Sequence, residues 1–477
     1  MRSFKLAAVL LAMVLVSAAC GARLTKSQLA LAAAGGGQRL TAGSSAEAGG
    51  SSSEAAGGGS GTGGGAGGGA GGGGAGGGAA AGKGGAGVAP AASASCGASG
   101  GNSDVGVTAN SITLGNVSLL TGPVPGLFQG AVRGTQAFFN YQNSLGGVCG
   151  RKLNLDSRDD QFDVNQNKAQ YQDLISKAFG FVGSFSVVDE GGSSVLQAHP
   201  DVPDVAYALS HAHFNLPNNF SVQPLPPGWR LGSLNYFKAK FGPDVITHMA
   251  YFVEDAQSAK DAIKGEVAAA QSVGYKFVYN RTIEPTEANF SSDVVNMQSA
   301  GVKGIFMAGE VGAFVRVAKA MKQQGFSVPF ANWGANAYDP GFVTSDAAAA
   351  TNGAILDQQL AMYQGEDNIP EVQLFNKWYK QVGGKTPDIF AAFGWESARL
   401  FVQALGNAGA KPTRASVLAE LKKIDNFDGN GMLAPVGPAS KRPSGCFMTI
   451  KVQNGKFQRA DPPSGFICNQ GDYFRAG

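Results

Sequence analysis

From Ser111 onward, the sequence alternates between short apolar runs and segments that carry apolar residues at helical spacing. Residues 112–120 and 179–185 have the length of buried strands, and residues 130–145 between them have a helical pattern. A second series of the same kind begins near Trp229. Short buried strands that alternate with helices are typical of α/β proteins with parallel sheets. The sequence therefore predicts an α/β fold with two parallel sheets, each covered by helices on both faces.

The position of a binding site follows from this prediction. In open parallel sheets, ligands bind outside the carboxyl ends of the strands. If two such lobes face each other, these ends surround one cleft. The loops that follow the predicted strands are therefore the first place to look for functional residues.

The N-terminus has the features of an export signal. Arg2 and Lys5 provide a basic start, and residues 6–16 form an apolar run that is too short to span a membrane. The segment resembles a bacterial lipoprotein signal that ends at Cys20, although Ser17 stands where leucine is usual. We interpret residues 1–20 as a signal peptide and Cys20 as a lipidated anchor on the extracytoplasmic side of the cell membrane. Secretion without an anchor, with Cys20 incidental, is the alternative.

A glycine-rich segment follows the signal. The chain has 71 glycines, and much of this excess lies in residues 35–101. Glycine-rich chain behaves as a flexible coil, so some 65 residues would span roughly 45 Å on average. We therefore interpret residues 21–104 as a tether. Residues 77–83 match part of a phosphate-binding loop, but Gly84 replaces the expected Ser or Thr and no strand precedes it, so no nucleotide or other cofactor is expected.

Charge and cysteine content restrict the partners further. The net charge of +3 gives no electrostatic case for nucleic-acid binding. An exported chain can keep disulfides, and apart from Cys20 four cysteines remain, which allow three pairings. Sequence proximity favours Cys96–Cys149 and Cys446–Cys468. No C-x-x-C spacing is present, so these cysteines are not expected to bind a metal.

Several stretches resemble one protein family. The opening strand, the T-G-P turn at residues 121–123, the following helix and the D-D-Q segment at residues 159–161 are similar to type I periplasmic binding proteins of the leucine/isoleucine/valine-binding group. Residues 387–405 resemble a late helix of that family, and residues 427–457 resemble its closing strands. These proteins are substrate-binding components of ABC importers.

The resemblance implies two Rossmann-like lobes with parallel sheets, joined by hinge strands in a type I periplasmic binding protein fold. The first lobe would comprise residues 105–228 and 357–425, and the second would comprise residues 229–356 and 426–477. The expected function is capture of a small polar or amino-acid-like molecule and its delivery to the permease and ATPase subunits, by a monomer with no catalytic residues. A ligand-sensing receptor and an exported enzyme are the alternative functions, but the sequence has no G-x-S-x-G elbow or G-x-G-x-x-G that follows a strand, and no H-E-x-x-H.

The same resemblance assigns candidate ligand contacts to the loops after successive strands. They come from the T-G-P turn, from two first-lobe loops at residues 183–188 and 210–214, and from three second-lobe loops. The candidates are Thr121, Gly122, Ser184, Phe185, Ser186, Val187, Ser210, Ala212, His213, Phe214, Gln257, Ser258, Glu310 and Trp333.

Several candidates differ from the residues that usually bind an amino acid in this family. Val187 and Phe214 stand where hydroxyl groups usually bind the carboxylate of the ligand, which disfavours an α-amino acid. Glu310 follows an apolar strand, and a buried carboxylate needs a partner, either a ligand cation or a basic residue of the protein. His211 and His213 would point the same way if the segment were extended. Two histidines need a further ligand to bind zinc, so no metal site is expected.

Overall fold

The computed structural model describes residues 91–92, 96, 101–366, 368–384, 386–468 and 472–476. The predicted signal peptide, Cys20 and most of the predicted tether lie outside the described residues. Among the described residues, no helix combines the length and the hydrophobicity needed to cross a membrane.

The strands of the described residues form two main sheets and one small ribbon. They are β1 (Ser111–Ser118), β2 (Lys152–Asp159), β3 (Phe181–Val182), β4 (Asp204–Val205), β5 (Gly228–Arg230), β6 (Met249–Glu254), β7 (Phe277–Ile283), β8 (Gly304–Ala308), β9 (Phe330–Asn332), β10 (Ile355–Gln358), β11 (Met448–Gln453), β12 (Lys456–Asp461) and β13 (Tyr473–Arg475).

Helices alternate with these strands, as the sequence predicts. The α-helices of the described residues are α1 (Gln129–Ser144), α2 (Val164–Leu174), α3 (Glu190–Ala198), α4 (His211–Phe214), α5 (Leu231–Ile246), α6 (Gln257–Ser272), α7 (Ser291–Ser299), α8 (Val311–Gln323), α9 (Ala348–Thr351), α10 (Pro370–Gln381), α11 (Ile389–Asn407) and α12 (Arg414–Leu421).

The first lobe is built on a parallel four-stranded sheet in the order β2-β1-β3-β4. The central strand β1 is buried without interruption from Leu114 to Ser118. Strands covered by helices on both faces have such continuous burial. The first lobe therefore has the predicted parallel α/β layers.

Helices α1 and α11 of the first lobe cross at two glycines. A Cβ atom at Gly134 would lie 1.9 Å from the carbonyl oxygen of Ala391, and one at Gly394 would lie 2.1 Å from that of Ala131. Any larger residue at these positions would push the helices apart. This close crossing holds the start of α11, with Phe390 and Phe393, in a fixed position on the first lobe.

The second lobe is built on a seven-stranded sheet in the order β12-β11-β10-β9-β8-β6-β7. The five strands from β10 to β7 in this order are parallel. Strands β11 and β12 pair antiparallel to β10 and to each other, so this sheet is parallel except at one edge. The reason is that β11 and β12 follow each other through a tight turn at Asn454 and Gly455, which can join only antiparallel strands.

The chain crosses between the lobes at three places. It enters the second lobe near β5, which forms an antiparallel ribbon with β13. It leaves after Gln358, the last residue of β10, and α10 to α12 then pack with the first lobe. It returns to the second sheet before Met448.

Both predicted disulfides are confirmed. Cys96 is bonded to Cys149, with 4.9 Å between their Cα atoms, and Cys446 is bonded to Cys468, with 4.0 Å between theirs. The first bond ties the segment before β1 to the turn that precedes β2. The second ties the start of β11 to the segment that leads to β13.

Candidate functional site

A cavity of about 160 Å³, partly open to solvent, lies between the two lobes. It is located at the carboxyl ends of the parallel strands, since its wall includes Glu254 at the end of β6 and Ala308 at the end of β8. The cavity therefore lies where open α/β sheets bind ligands.

The wall that the first lobe contributes is aromatic. Phe128, Tyr207, Phe390 and Phe393 line the cavity. Behind them Phe185 packs against Tyr207, with ring centroids 4.6 Å apart, and against Phe128 at 5.2 Å. Since the rings support each other, this wall is a rigid apolar surface for the body of a ligand.

The wall that the second lobe contributes is mixed. Trp333 is 3% exposed and packs on Phe314, with ring centroids 6.0 Å apart. Both side chains line the cavity, together with Met307. Carboxyl groups of Glu254, Glu266, Glu310 and Asp339 lie among these apolar residues. The acidic groups of the cavity thus come from the second lobe.

One face of helix α6 forms part of this second wall. Ser258, Ala259, Ala262 and Glu266 line the cavity and follow the spacing of one helix face. The helix is held close to β5 because a Cβ atom at Gly265 would lie 2.4 Å from the carbonyl oxygen of Gly228. The two alanines leave space in front of the helix, and Glu266 places a carboxyl group at one end of that space.

Glu310 has its partners within the protein. It is the N-cap of α8, where its carboxylate accepts hydrogen bonds from the backbone N–H groups of Gly312 and Ala313. The guanidinium of Arg316 lies 3.1 Å from the same carboxylate. The sequence left open whether Glu310 pairs with a ligand cation or with a basic residue of the protein. The structure contains the second partner, Arg316.

Glu254 lies beside Glu310 and has fewer partners. Its Oε1 accepts a hydrogen bond of 2.9 Å from the backbone N–H of Glu310. Burial, opposed by this hydrogen bond, raises the pKa of Glu254 to about 7. The absence of a side chain at Gly309 makes room for this carboxyl, because a Cβ atom there would lie 2.6 Å from its Cδ.

Four of the predicted ligand contacts line the cavity. They are Val187, Ser258, Glu310 and Trp333. The other ten are not part of its lining, and they have partners or positions elsewhere in the fold.

The T-G-P turn faces solvent and is fixed by Asp159. The backbone N–H and the hydroxyl of Thr121 both donate to this carboxylate. Gly122 is exposed and has a φ of 116°, which explains why glycine occupies this turn. Both residues therefore organise the turn.

The hydroxyl groups of the first-lobe loop at residues 183–188 form hydrogen bonds within the first lobe. Ser184 Oγ accepts a hydrogen bond from the backbone N–H of Val117, and Ser186 Oγ accepts one from that of Val188. Both serines are buried, and Phe185 supports the aromatic wall from behind.

Residues 211–214 form the short helix α4, so the expectation of an extended segment is wrong there. Ser210 caps it by accepting a hydrogen bond from the backbone N–H of His213. Successive side chains of a helix turn by about 100°, so His211 and His213 do not point the same way. Ala212 is exposed, and Phe214 is buried beneath the ammonium of Lys441, 4.9 Å from its ring.

His213 is buried between two aspartates. Its Nε2 lies 2.8 Å from Asp204 and its Nδ1 lies 3.2 Å from Asp189. Burial alone would lower the pKa of His213, but the two carboxylates raise it to about 10. The histidine is therefore a charged part of the first-lobe core. Among the residues that the structure describes, no group of three His, Cys, Asp or Glu side chains could hold a metal ion.

His211 joins the two lobes instead. Its backbone N–H donates a hydrogen bond of 3.1 Å to Asp261 on α6, and its ring lies 3.6 Å from the same carboxylate. Gln257 is exposed and donates to Asp261 from the same helix. This contact brings the start of α4 and the face of α6 together beside the cavity.

A family model described as periplasmic binding protein matches residues 111–456. The chain belongs to this family. Its fold is that of the type I periplasmic binding proteins, as the sequence predicts, and the family and the similar solved structures are binding proteins. No curated protein sequence matches the chain.

Solved structures with a similar fold include three proteins with low sequence identity. A fatty acid ABC transporter substrate-binding protein from Thermomonospora curvata has 19% identity and a TM-score of 0.65, over 79% of this chain and 95% of that one. A branched-chain amino acid ABC transporter protein from Thermus thermophilus with bound valine has 14% identity and a TM-score of 0.65, over 79% and 97%. An extracellular ligand-binding receptor from Rhodopseudomonas palustris has 18% identity and a TM-score of 0.63, over 73% and 99%.

Several residues of this periplasmic binding protein line the cavity without having been expected there. They include Arg230 on β5, Glu254, the α6 face beyond Ser258, and the aromatic pair Phe390 and Phe393. Only the α6 face has a signal in the sequence, because Ser258, Ala262 and Glu266 recur at intervals of four residues. The others come from distant parts of the chain.

Proposed function

We propose that this periplasmic binding protein captures a small solute between its lobes and delivers it to an ABC importer, while lipid at Cys20 anchors it outside the cytoplasm. The main support is the cavity between the lobes, with an aromatic wall on one side and an acidic wall on the other. The cavity lies where both sets of parallel strands end, so a bound solute would contact both lobes.

The contact between His211 and Asp261 supports closure of the two lobes around a solute. It joins α4 of the first lobe to α6 of the second lobe, and the two lobes are built on different sheets. A solute that contacts both walls favours the state in which the lobes are together, since binding shifts the equilibrium towards the state with more contacts.

Solute capture can be tested with the purified full chain. We would incubate it with a library of amino acids, amides, nucleobases, aromatic acids and amines and measure thermal unfolding. A ligand at 100 times its Kd should add about 2.7 kcal/mol to the free energy of unfolding. The bound compound should be recovered unchanged. Conversion into a product would favour the exported enzyme, and the absence of any stabilising solute would contradict capture.

The anchor can be tested separately. Cys20→Ser should move the protein from the membrane fraction to the soluble fraction and leave solute affinity unchanged, because Cys20 is separated from the folded part by the glycine-rich tether. Membrane retention of this variant would contradict lipidation at Cys20. Loss of uptake of the captured solute on deletion of this protein would support delivery to an importer, whereas unchanged uptake would favour a sensory role.

A further inference from the structure

Glu266 is a buried carboxyl group that faces the cavity. The residue is 8% exposed and lines the cavity from α6. Among the described residues its carboxyl accepts no hydrogen bond, and Arg230 acts on it only through its charge. Burying a polar group without a partner is costly, and a donor on a ligand would remove that cost.

The basic groups around the cavity are already paired. Arg230 is a lining residue, and its guanidinium donates to Asp357 from Nε at 3.0 Å and also from Nη2. The ring of Trp229 lies 5.1 Å from the same guanidinium. Arg316 is paired with Glu310 on the other side of the cavity. A ligand carboxylate would therefore meet no uncommitted cation on the lining.

Two glutamines near the same end of the cavity have unpaired amide oxygens. Gln358 Nε2 donates to the carbonyl oxygen of Leu360, and Gln359 Nε2 donates to that of Ser444. Carbonyl oxygens can only accept, so both amides have a fixed orientation. Gln359 Oε1 then accepts from Gln223 Nε2 at 3.1 Å. Both lining glutamines, Gln223 and Gln358, keep an amide oxygen without a partner.

Glu266 adjoins a largely apolar space. The aromatic wall of the first lobe carries no ionised lining group, and Ala259 and Ala262 leave room on the opposite side. Trp229 Nε1 is a donor without a partner at this end, but it carries no charge. The surroundings therefore suit a ligand with an apolar body and a donor-rich head, and they disfavour an anionic head.

We propose that the ligand is an apolar or aromatic amine without a carboxylate, whose ammonium group binds Glu266. This proposal rests on the proposed function and names the chemical class of its solute. It also moves the cation contact from Glu310, which caps α8, to a residue on α6.

Proton release should accompany binding. Burial and the negative charge of Asp357, opposed by Arg230, raise the pKa of Glu266 to about 8. In the empty cavity at pH 7 this carboxyl is mostly protonated, so an ammonium ligand must displace its proton. Affinity for an amine should therefore increase by about tenfold per pH unit between about pH 6 and pH 8 and level off above.

Four probes of nearly equal size test the class of the ligand. Phenethylamine carries the amine alone, phenethyl alcohol is neutral, phenylalanine adds a carboxylate, and hydrocinnamate carries the carboxylate alone. Calorimetry of the full chain should show the tightest binding for phenethylamine, with affinity that increases with pH. Tighter binding of phenylalanine or hydrocinnamate, or no binding of phenethylamine, overturns the proposal. Capture of another solute in the wider library would leave the proposed function intact.

A pair of variants tests the residue. Glu266→Gln keeps the size of the side chain and should weaken phenethylamine binding at least about tenfold, with no change for phenethyl alcohol. Glu284→Gln removes the same charge from an exposed position outside the cavity lining and should change neither. Equal affinity of Glu266→Gln and the parent for phenethylamine overturns the assignment. The probe series on the parent decides the ligand class even if Glu266→Gln does not fold.

Discussion

Helix α4 and the cavity face of helix α6 lie opposite each other, and they carry different kinds of residues. Helix α4 and its cap contain two histidines, a serine and a phenylalanine, which are common in binding sites. The cavity face of α6 contains Ser258, two alanines and Glu266. By residue type, α4 is the better candidate for a ligand contact. The structure places α6, and not α4, in the cavity lining.

The difference lies in the partners that each polar group has inside the protein. His213 has two aspartates and Ser210 caps its own helix, so both are satisfied without a ligand. Among the described residues, the carboxyl of Glu266 accepts no hydrogen bond, and it lines the cavity. A buried polar group whose partners are complete stabilises the fold, whereas one that lacks partners is available to a ligand.

The largest expected effect is a loss of stability on replacement of His213 in α4. His213→Ala should lower the free energy of unfolding by about 3–5 kcal/mol, because it leaves Asp204 and Asp189 buried without their cation. Urea denaturation would measure the loss. His211→Ala, two residues away and partly exposed, is the control and should cost less than about 1 kcal/mol. A small effect of His213→Ala would show that the aspartates do not depend on the histidine.

The same histidine predicts a pH dependence of stability. The pKa of His213 is raised to about 10 in the folded state, so its contribution is complete below the ordinary value of about 6.5. It should be lost as the pH rises towards about 10. The difference in unfolding free energy between the parent and His213→Ala should therefore be largest near pH 6 and shrink at alkaline pH. A difference that grows with pH would contradict the charged state of His213.

The next effect tests whether the α6 face is a wall of the binding site. Ala262→Leu extends a side chain into the cavity and should weaken solute binding at least about tenfold, or about 1.4 kcal/mol, with little change in stability. Ala268→Leu places the same side chain on another face of α6, outside this cavity, and is the matched control. If both variants bind the solute as tightly as the parent, the face of α6 does not contact it.

The smallest effect concerns Glu310, whose role differs from that of Glu266 although both line the cavity. Glu310→Ala removes the cap of α8 and should lower stability by about 0.5–2 kcal/mol. Glu310→Asp keeps an acceptor at the cap and should recover most of this loss. Thermal unfolding of the two variants would measure it. Unchanged stability of Glu310→Ala together with loss of solute binding would instead assign Glu310 to the ligand.

Most of the fold could be predicted from the sequence, because its signals are local. Alternating apolar runs and helical patterns located the strands and helices of both lobes, and proximity along the chain indicated the two disulfides. The antiparallel direction of β11 and β12 was not predicted, since an apolar strand pattern does not show the direction of its neighbours. Four of the fourteen candidate contacts line the cavity.

The sequence by itself determined the α/β class, the two lobes and the side of each sheet on which a cavity would form. These follow from hydrophobic periodicity and from the common edge at which parallel strands end. Only the tertiary structure decided which polar groups have partners. Asp189 and Asp204 meet His213 through the packing of α3 and α4, and Arg230 meets Asp357 from 127 residues away. The pairing of a buried charge depends on distances across the fold, so it cannot be deduced from the residue type alone.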